Sequence, residues 1–543
     1  MYSDNQANHV TTEKAPFSSL ANLARKQQSA SLRRFSRIII SASVVSTLLI
    51  ATLPSVSTTY AANDQQAFTG SASDRAVSAF SSGFSSGSSP ESSVTSNTAQ
   101  ELHYTQVAGG YYYTVALRSD GSVWTWGRNL LGELGISDTV RYRHTFSPVR
   151  IPHLTNVTAI SNSGGGYSVA VQADGTVWQW GDGRTPSQVP GITDARHVTA
   201  GSFMSVALLR DGTVQSWQTP PQKLPNTMNE EAGKKPTLHR ISGLKNVVQT
   251  TLSGYDGYAL KKDGSVWTWK EADKAGSLPS KAKPVKGLTN ITSITSKGGQ
   301  LMALDSKGRV WRMDVQGKRI PYHHELKVKT LDASSNYVLL VTTKGEVYSF
   351  GKTVTGKQGK IKQLSDIKGV SAGYYHSLAL SSDGNVWGWG GDKYQEAGAP
   401  ATSSGGMVYI PVQAKLGTDI YVNGKLLQSV YPAVETSGTL QLPIKTIALA
   451  LGATFEVHTA VGLISHYTLK YNDRIITIKP NELQYTVSTL NKLDPQEEQV
   501  ISLREPIGNY SGATTAPYDM LRGLGLDVTW DSNTAKVTID EVN

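Results

Sequence analysis

A seven-residue phrase recurs along the chain and constrains its fold more than any other feature. The clearest copies, Asp-Gly-x-Val-Trp-x-Trp, begin at Asp120, Asp174, Asp263 and Asp383, and weaker copies begin at Asp211, Lys307 and Lys344. In every copy Val follows the glycine by two positions and a large residue follows it by five. The glycines are Gly121, Gly175, Gly212, Gly264, Gly308, Gly345 and Gly384, and the large residues are Trp126, Trp180, Trp217, Trp269, Met313, Phe350 and Trp389.

Each copy of the phrase predicts a β-hairpin. Asp-Gly favours a tight turn, because glycine adopts positive φ without the steric penalty of a Cβ atom. The residues after the turn are Val and aromatics, which suit a pleated and buried surface. A second strand-like run, such as Thr114-Val-Ala-Leu117, precedes each turn. Both faces of such a hairpin carry bulky side chains, so each sheet has to be covered on both sides.

The spacing of the hairpins predicts how they assemble. Successive turn glycines are 37 to 54 residues apart, and further strand-like runs, such as those at 198–201 and 148–151, precede and follow the hairpins. Four short strands in each of seven units predict an all-β, seven-bladed β-propeller over residues 104–415. Closing the ring covers both faces of every blade and leaves few exposed sheet edges.

The repeats also carry a family resemblance. The stretch from Val107 to Gly135, with its Trp-Thr-Trp-Gly core, resembles the regulator of chromosome condensation repeat, and so does Gly373-Tyr-Tyr-His376-Ser377 in the last unit. Members of that family fold as seven-bladed propellers, which agrees with the count of hairpins. The chain departs from the family pattern in having its histidine only at His376, and in placing Lys297 and Ser334 at positions where other units have glycine.

Residues 418–543 lack the tryptophan phrase and predict a separate α+β domain. Residues 442–452 form a helical pattern with Pro443 in the first turn and Gly452 at the end. A similar pattern returns at 516–525, so two related β-α-β-β halves are expected. The matching residues, Tyr421-Val-Asn-Gly-Lys425 and Gly525-Leu-Asp-Val-Thr-Trp-Asp531, resemble the copper amine oxidase N-terminal-like domain of bacterial cell-surface proteins. That resemblance implies a stalk or accessory module and brings no copper ligands.

The N-terminal segment predicts export. A basic region ending at Arg37 is followed by an apolar stretch at 38–53 and by Thr59-Tyr-Ala61, which places small residues before a cleavage point. We therefore predict a signal peptide at 1–61, with an uncleaved membrane anchor as the alternative. Residues 62–103 are rich in Ser and Gly, a composition that predicts a disordered linker.

Composition and motifs exclude several kinds of chemistry. The chain has no Cys, so it has no disulfides and no thiolate sites, and its net charge of +10 is scattered rather than clustered as in nucleic-acid binders. We find no phosphate loop, no zinc motif and no nucleophile elbow, and adjacent His323 and His324 point to opposite faces of a strand. We therefore predict no catalytic residues, no metal and no cofactor, and we assign the repeated Asp-Gly residues a structural role.

The candidate binding residues are aromatic. Tyr111, Tyr112 and Tyr113 lie in the first unit, and Tyr374, Tyr375 and His376 lie in the seventh. Ring closure makes these units neighbours, so their loops are expected to form one tyrosine-rich surface, although part of these rings serving as blade packing is the alternative. Tyrosine offers a large, rigid and amphipathic contact area. The nearby insertion Arg141-Tyr-Arg-His144 adds positive charge that favours an acidic partner.

These features predict a secreted or cell-surface, non-catalytic binding or scaffold protein, whose propeller face holds an extracellular protein or a cell-wall glycan. Relatives of this propeller include secreted β-lactamase inhibitors, so an inhibitor of that kind is one alternative. An extracellular propeller lyase or hydrolase is the other. Nucleic acid is not expected as a partner, and membrane contact is expected only through the export segment.

Overall fold

The predicted hairpins form the two middle strands of seven four-stranded antiparallel sheets. A computed structural model describes residues 101–542, except 137–143, 220–234, 271–278, 298, 315–316, 354, 399–405, 437–438, 491–497 and 511–512. The predicted signal peptide and residues 62–100 of the predicted linker lie outside the described residues. The prediction of seven units, each with four strands, is confirmed.

Each sheet is one blade of the propeller, built from four strands that are consecutive in sequence. Blades 1 to 4 contain β1 (Tyr104–Gly109), β2 (Tyr113–Arg118), β3 (Val123–Gly127), β4 (Thr145–Arg150); β5 (Val157–Asn162), β6 (Tyr167–Gln172), β7 (Val177–Gly181), β8 (Arg184–Gln188); β9 (Ala195–Ala200), β10 (Met204–Leu209), β11 (Val214–Gln218), β12 (His239–Arg240); and β13 (Val247–Ser253), β14 (Asp256–Lys261), β15 (Val266–Lys270), β16 (Lys283–Pro284). Blades 5 to 7 contain β17 (Ile291–Thr295), β18 (Met302–Asp305), β19 (Val310–Met313), β20 (Arg319–Tyr322); β21 (Val328–Ala333), β22 (Tyr337–Thr342), β23 (Val347–Gly351), β24 (Gly359–Lys360); and β25 (Ile367–Ala372), β26 (His376–Ser381), β27 (Val386–Gly391), β28 (Met407–Gln413).

The Asp-Gly dipeptide closes the hairpin in the way that its chemistry suggests. Gly121 has a φ of +76°, and a Cβ atom added there would lie 3.0 Å from the Cα of Asn156. The carboxylate of Asp120 accepts a hydrogen bond from the backbone N–H of Ser122, at 3.0 Å. The other Asp-Gly turns repeat this bond, at Asp174, Asp211, Asp263 and Asp383.

The last large residue of each phrase packs against the preceding blade. Trp180 of blade 2 lies in a cluster with Val115 and Val123 of blade 1, and Trp126 of blade 1 lies in a cluster with Leu378 and Val386 of blade 7. A buried tryptophan therefore packs between neighbouring blades, including blades 7 and 1, where the ring closes. The tryptophans at this last position are all buried: Trp126, Trp180, Trp217, Trp269 and Trp389.

The first strand of each blade lies innermost, and side chains on these strands join every blade to the next. In five junctions a side-chain oxygen accepts a hydrogen bond from a backbone N–H of a neighbouring blade: Gln106 from Ile160 (3.1 Å), Ser161 from Ala200 (3.1 Å), Gln249 from Ile294 (2.9 Å), Asp332 from Ala372 (2.9 Å) and Ser371 from Gly109 (3.0 Å). Thr199 and Thr250 join blades 3 and 4 at 2.7 Å, and Thr295 and Asp332 join blades 5 and 6 at 3.1 Å. The ring is thus closed by polar side chains at all seven junctions.

The C-terminal domain is mostly β, which corrects the prediction of an α+β domain with two equivalent halves. Its described residues form three sheets and a single α-helix, α1 (Ile444–Leu451), which ends at Gly452 with a φ of 72°. The second predicted helix is a 3-10 helix (Tyr518–Leu524), because Gly523 and Gly525 confine it to two short turns. The strands are β29 (Asp419–Val422), β30 (Lys425–Leu426), β31 (Val434–Glu435), β32 (Leu440–Pro443), β33 (Thr454–Ala460), β34 (Leu463–Tyr471), β35 (Arg474–Ile478), β36 (Gln484–Thr489), β37 (Gln499–Ser502), β38 (Gly508–Tyr510), β39 (Ala513–Pro517), β40 (Leu526–Asp531) and β41 (Lys536–Glu541).

This domain has its own apolar core, and it contacts blade 1. Val430 and Tyr431 pack against the blade 1 cluster that contains Ile151 and Leu154. The hydroxyl of Tyr104 accepts a hydrogen bond from the backbone N–H of Gly417, at 3.1 Å, just before the domain begins. In the described part of the chain, no helix has both the length and the apolar character needed to cross a bilayer.

Candidate functional site

One end of the propeller carries all the loops that join the first and second strands of the blades. In a sheet of consecutive antiparallel strands, successive connections alternate between the two ends, so the Asp-Gly turns lie at the opposite end. We call these seven loops the loop face; they are residues 110–112, 163–166, 201–203, 254–255, 296–301, 334–336 and 373–375. They consist mainly of Gly, Ser and Tyr, and Lys297 is their single charged residue.

At the junction of blades 1 and 7, the loop face carries a compact group of tyrosines. The rings of Tyr112 and Tyr375 stack with centroids 4.5 Å apart and planes at 15°. Tyr111 lies 4.6 Å from Tyr374 and 5.2 Å from Tyr375, and its hydroxyl is 3.3 Å from the Tyr375 hydroxyl. All four side chains are half-buried. We call these four residues the tyrosine cluster; the structure brings them together as the sequence predicts.

Tyr113 and His376 do not lie on this surface; they pack between the blades, which is the alternative stated for part of these residues. Both are fully buried, because successive strand residues point in opposite directions and these two point between the blades. The Tyr113 hydroxyl lies 3.0 Å from Ser168 Oγ of blade 2, and His376 Nε2 lies 2.9 Å from Thr114 Oγ1 of blade 1. Burial lowers the pKa of His376 to about 3, so its ring is neutral and holds blades 7 and 1 together.

Loops between the third and fourth strands extend the tyrosine cluster at its rim. The Arg128 guanidinium lies over the rings of Tyr111 and Tyr112, at 5.3 and 5.1 Å from their centroids, and pairs with Glu133 at 2.7 Å. Tyr394 of blade 7 meets Tyr112 edge-on at 5.2 Å. Residues 141–143 of the predicted basic insertion lie outside the described residues, whereas His144 lies 6.1 Å from the Tyr394 ring.

Two buried carboxyl groups, Glu133 and Glu396, support these rim loops. Glu133 accepts a hydrogen bond from the backbone N–H of Leu131, and Glu396 accepts one from that of Tyr394, both at 2.7 Å. Burial raises the pKa of Glu133, and it raises the pKa of Glu396 to about 7. Burial and the nearby Glu133 carboxylate raise the pKa of Asp182 to about 6. Glu396, whose partner Tyr394 contacts Tyr112, therefore changes protonation near neutral pH.

A second aromatic pair, not predicted from the sequence, lies on the loop face at blades 3 and 4, away from the tyrosine cluster at blades 1 and 7. Phe203 of blade 3 and Tyr255 of blade 4 stack with centroids 4.6 Å apart and planes at 2°, and they are 49% and 39% exposed. Counted back from the Asp-Gly turn, both residues occupy the repeat position of Tyr112 and Tyr375. Aligning the seven units at their glycines would have found them, because four of the seven units are aromatic at this position.

The central opening offers few groups for chemistry. The inner strands of blades 2 to 6 enclose a cavity of about 150 Å³, lined by hydroxyl side chains together with His197, Lys297 and Asp332. Burial lowers the pKa of His197 to about 4, and Lys297 pairs with Asp332 at 3.6 Å. Among the described residues, no three His, Cys, Asp or Glu side chains are grouped so that they could hold a metal ion.

Both parts of the chain match known families. Residues 104–133, 120–171 and 367–396 match the regulator of chromosome condensation (RCC1) repeat, and residues 421–539 match the copper amine oxidase N-terminal domain. The chain thus contains an RCC1-repeat β-propeller followed by a copper amine oxidase N-terminal domain.

The curated relatives are matched over part of their length. The human E3 ubiquitin-protein ligase HERC2 is 28% identical over 188 residues, which cover 32% of this chain and 4% of that protein. Protein pim1 of Schizosaccharomyces pombe is 26% identical over 346 residues, which cover 55% of this chain and 61% of that protein. This chain therefore spans less than two thirds of either relative. Yeast RCC1 (Prp20), solved bound to Kap60, is 16% identical with a TM-score of 0.44, covering 60% of this chain and 91% of its own.

Proposed function

We propose that this protein is an exported, non-catalytic binding protein whose loop face holds an extracellular protein partner. The observation that carries the proposal is the pair of stacked aromatic contacts, Tyr112–Tyr375 and Phe203–Tyr255, at one repeat position in four blades. They stand on loops of Gly, Ser and Tyr that are almost free of charge. Rigid aromatic side chains on small, polar loops are also the composition of antibody combining sites.

The ring geometry favours a protein over a glycan. A sugar ring binds aromatic side chains by stacking on an open ring face. In the tyrosine cluster, the faces of Tyr112 and Tyr375 lie against each other, and the edges of Tyr111 and Tyr394 approach them from the sides. One face of each stacked ring is thus covered by its partner, which reduces the open ring face available to a sugar. Ring edges and hydroxyl groups suit the mixed apolar and polar surface of a protein.

The remainder of the chain would position this face. We propose that residues 1–61 direct export, that residues 62–103 act as a flexible spacer, and that the C-terminal domain serves as a stalk at the cell surface. The C-terminal domain contacts blade 1 through Val430 and Tyr431, and Tyr510 meets Phe146 of the outer strand β4 edge-on at 5.9 Å.

The proposal is tested by identifying a partner and then measuring its affinity. The full chain is used to capture proteins from the culture medium of the source organism, and the partner is purified and titrated against variants. We expect Tyr112→Ala and Phe203→Ala each to weaken binding at least tenfold. Tyr409→Ala is the matched control, because Tyr409 is 57% exposed on the outer strand of blade 7 and belongs to none of the seven loops of the loop face. Equal affinities for all three variants, or retention of a wall polysaccharide instead of a protein, would reject it.

An extracellular hydrolase or lyase is the second candidate. The observation that favours it is Asp182, whose pKa is raised to about 6 beside the loop face, as general acids require. Turnover of a wall polymer or ester by the purified chain, abolished by Asp182→Asn, would establish an enzyme in place of a binding protein.

A further inference from the structure

A long β-hairpin of the C-terminal domain projects an apolar tip into solvent. Its strands are β33 and β34, and its root is anchored by Phe455 and Tyr467, whose rings stack 5.8 Å apart within the domain core. Beyond this root, the apolar side chains of the hairpin are exposed to solvent. Val461 is 103% exposed, Leu463 75%, Val457 50% and Ile464 44%. Residues 457–469 contain no Asp, Glu, Lys or Arg.

The turn at this tip contains a residue type that is unfavourable for the backbone conformation of the turn. Val461 and Gly462 both have positive φ, of 52° and 75°. A β-branched residue in this region is strained, and two-residue hairpin turns prefer Asn-Gly. The same domain uses that preferred pair, Asn423-Gly424, in the turn between β29 and β30. An apolar valine that is strained and fully exposed contributes nothing to the fold, which indicates a role outside it.

The distribution of apolar side chains identifies the kind of surface that would cover them. Leu463 and Ile464 are successive strand residues, so they point to opposite faces of the hairpin, and both are exposed. A pocket in another protein covers one face of a hairpin, whereas a fluid hydrocarbon layer surrounds a convex tip on both faces. We propose that the tip of this hairpin, residues 457–466, inserts into the outer layer of a phospholipid bilayer.

Polar groups set the depth of this insertion. Glu456 and Lys470 form an ion pair at 3.0 Å on the root side of the tip. Charged groups belong in the headgroup region rather than in hydrocarbon. The four residues from Val457 to the turn extend about 13 Å along the strand, a length suited to shallow insertion. The hairpin is thus a membrane contact that is separate from the loop face and from the N-terminal apolar segment.

Because the chain has no Cys, a single introduced cysteine can be labelled to measure insertion at one position. The full-length chain carrying Leu463→Cys is labelled with the environment-sensitive fluorophore NBD and mixed with vesicles of phosphatidylcholine and phosphatidylglycerol. We expect a blue shift of the emission and quenching by lipid-borne quenchers. Leu449→Cys is the matched control, because Leu449 is 70% exposed on α1 of the same domain and is expected to keep a water-like spectrum. This local readout is independent of binding through the N-terminal segment.

Val461→Asn separates a membrane role from a structural one. Asparagine relieves the strained turn and should raise the melting temperature, while lowering the vesicle-induced shift of the label at position 463 at least fivefold. A label that stays water-like while the protein is bound to vesicles overturns the proposal. A blue shift of the label in the absence of vesicles also overturns the proposal. If that shift increases with protein concentration, a second copy of the chain covers the tip. If it does not change with protein concentration, another part of the same chain covers the tip.

Discussion

The guanidinium of Arg118, at the end of β2 in blade 1, donates a hydrogen bond to the carboxylate of Asp419, in the first strand of the C-terminal domain. Arg150 Nη1 reaches the same carboxylate at 2.9 Å, and Arg118 also donates to the carbonyl of Gly417 at 3.0 Å. The side chains of Arg118 and Asp419 are 0% and 7% exposed. A buried ionic group thus joins the propeller to the C-terminal domain.

Removal of Asp419 should therefore destabilise the protein strongly. Asp419→Ala removes the partner that Arg118 and Arg150 share, but Arg118 keeps its ion pair with Asp120 at 2.6 Å. The cost should therefore lie toward the lower end of the about 3–5 kcal/mol that breaking a buried pair causes. We expect that loss in the free energy of unfolding measured by urea denaturation, together with separate transitions for the two domains. Asp194→Ala is the control, since Asp194 and Arg210 form an exposed pair and should contribute less than about 1 kcal/mol. Equal losses would show that burial of the Arg118 pair is unimportant.

Substitution of Gly264 tests the turn that builds each blade. Gly264 has a φ of +78°, and an added Cβ would lie 3.0 Å from the Cα of Asn290 and 3.1 Å from the N of Ile291. Gly287 has a φ of +82° with nothing within 4 Å of such an atom. Gly287→Ala should cost about 1 kcal/mol for the backbone conformation alone. Gly264→Ala should cost more, because the backbone must also move, and Gly264→Val more again. Identical melting temperatures for the two alanine variants would contradict the close packing of this turn.

The repeated parts of the fold could be predicted from sequence because their determinants are local. Gly264 and Trp269 lie within one hairpin, and their recurrence at fixed offsets fixes the blade count. The Arg118–Asp419 contact joins positions 301 residues apart, and no periodic signal marks it. The 3-10 helix at Tyr518–Leu524 was predicted as α, since the choice between the two hydrogen-bond patterns depends on packing around Gly523 rather than on apolar spacing.

In the candidate site, too, some features could be predicted from the sequence and others could not. Adjacent blades 1 and 7 bring Tyr112 and Tyr375 together, and ring closure alone predicts this. Tyr113 adjoins Tyr111 and Tyr112 in sequence, but the alternation of side chains along a strand places it in the interior between blades. Phe203 and Tyr255 were not predicted as binding residues because neither belongs to a run of aromatics, although both share the repeat position of Tyr112. Equivalence between repeats was therefore more informative than local composition.

Glu396 should make stability depend on pH. Its pKa is raised to about 7 in the folded state, above the ordinary 4.5 of a glutamate, so the native state binds more protons than the unfolded state between these values. The contribution of Glu396 to stability is thus fully present below pH 4.5 and is lost as the pH rises to 7. Glu396→Gln removes this loss, and the melting temperature of the variant relative to the parent should increase from pH 4.5 to 7 and then level off.

His376 supplies the opposite dependence. Its folded pKa is lowered to about 3, so its contribution is lost as the pH falls below 6.5, where the unfolded state takes up a proton. His376 is present in both the parent and Glu396→Gln, so both proteins should lose its contribution below pH 6.5 and it should cancel in their difference. A Glu396→Gln difference that grows toward acid rather than toward neutral pH would contradict the raised pKa of Glu396.

The two aromatic pairs should act as two separate anchors for one partner. Within a pair the rings support each other, so the double variant Phe203→Ala with Tyr255→Ala should lose little more affinity than either single variant. Across the face, Phe203→Ala combined with Tyr112→Ala should show additive losses, since the two residues share no contact and belong to blades 3 and 1. Each anchor is expected to contribute about 1–3 kcal/mol, as exposed aromatic hot spots do. Isothermal titration with the purified partner measures the affinities of the parent, the three single variants and the two double variants, and melting temperatures near that of the parent confirm that the fold is intact. Additive losses within a pair, or no loss at Phe203, would confine recognition to the tyrosine cluster.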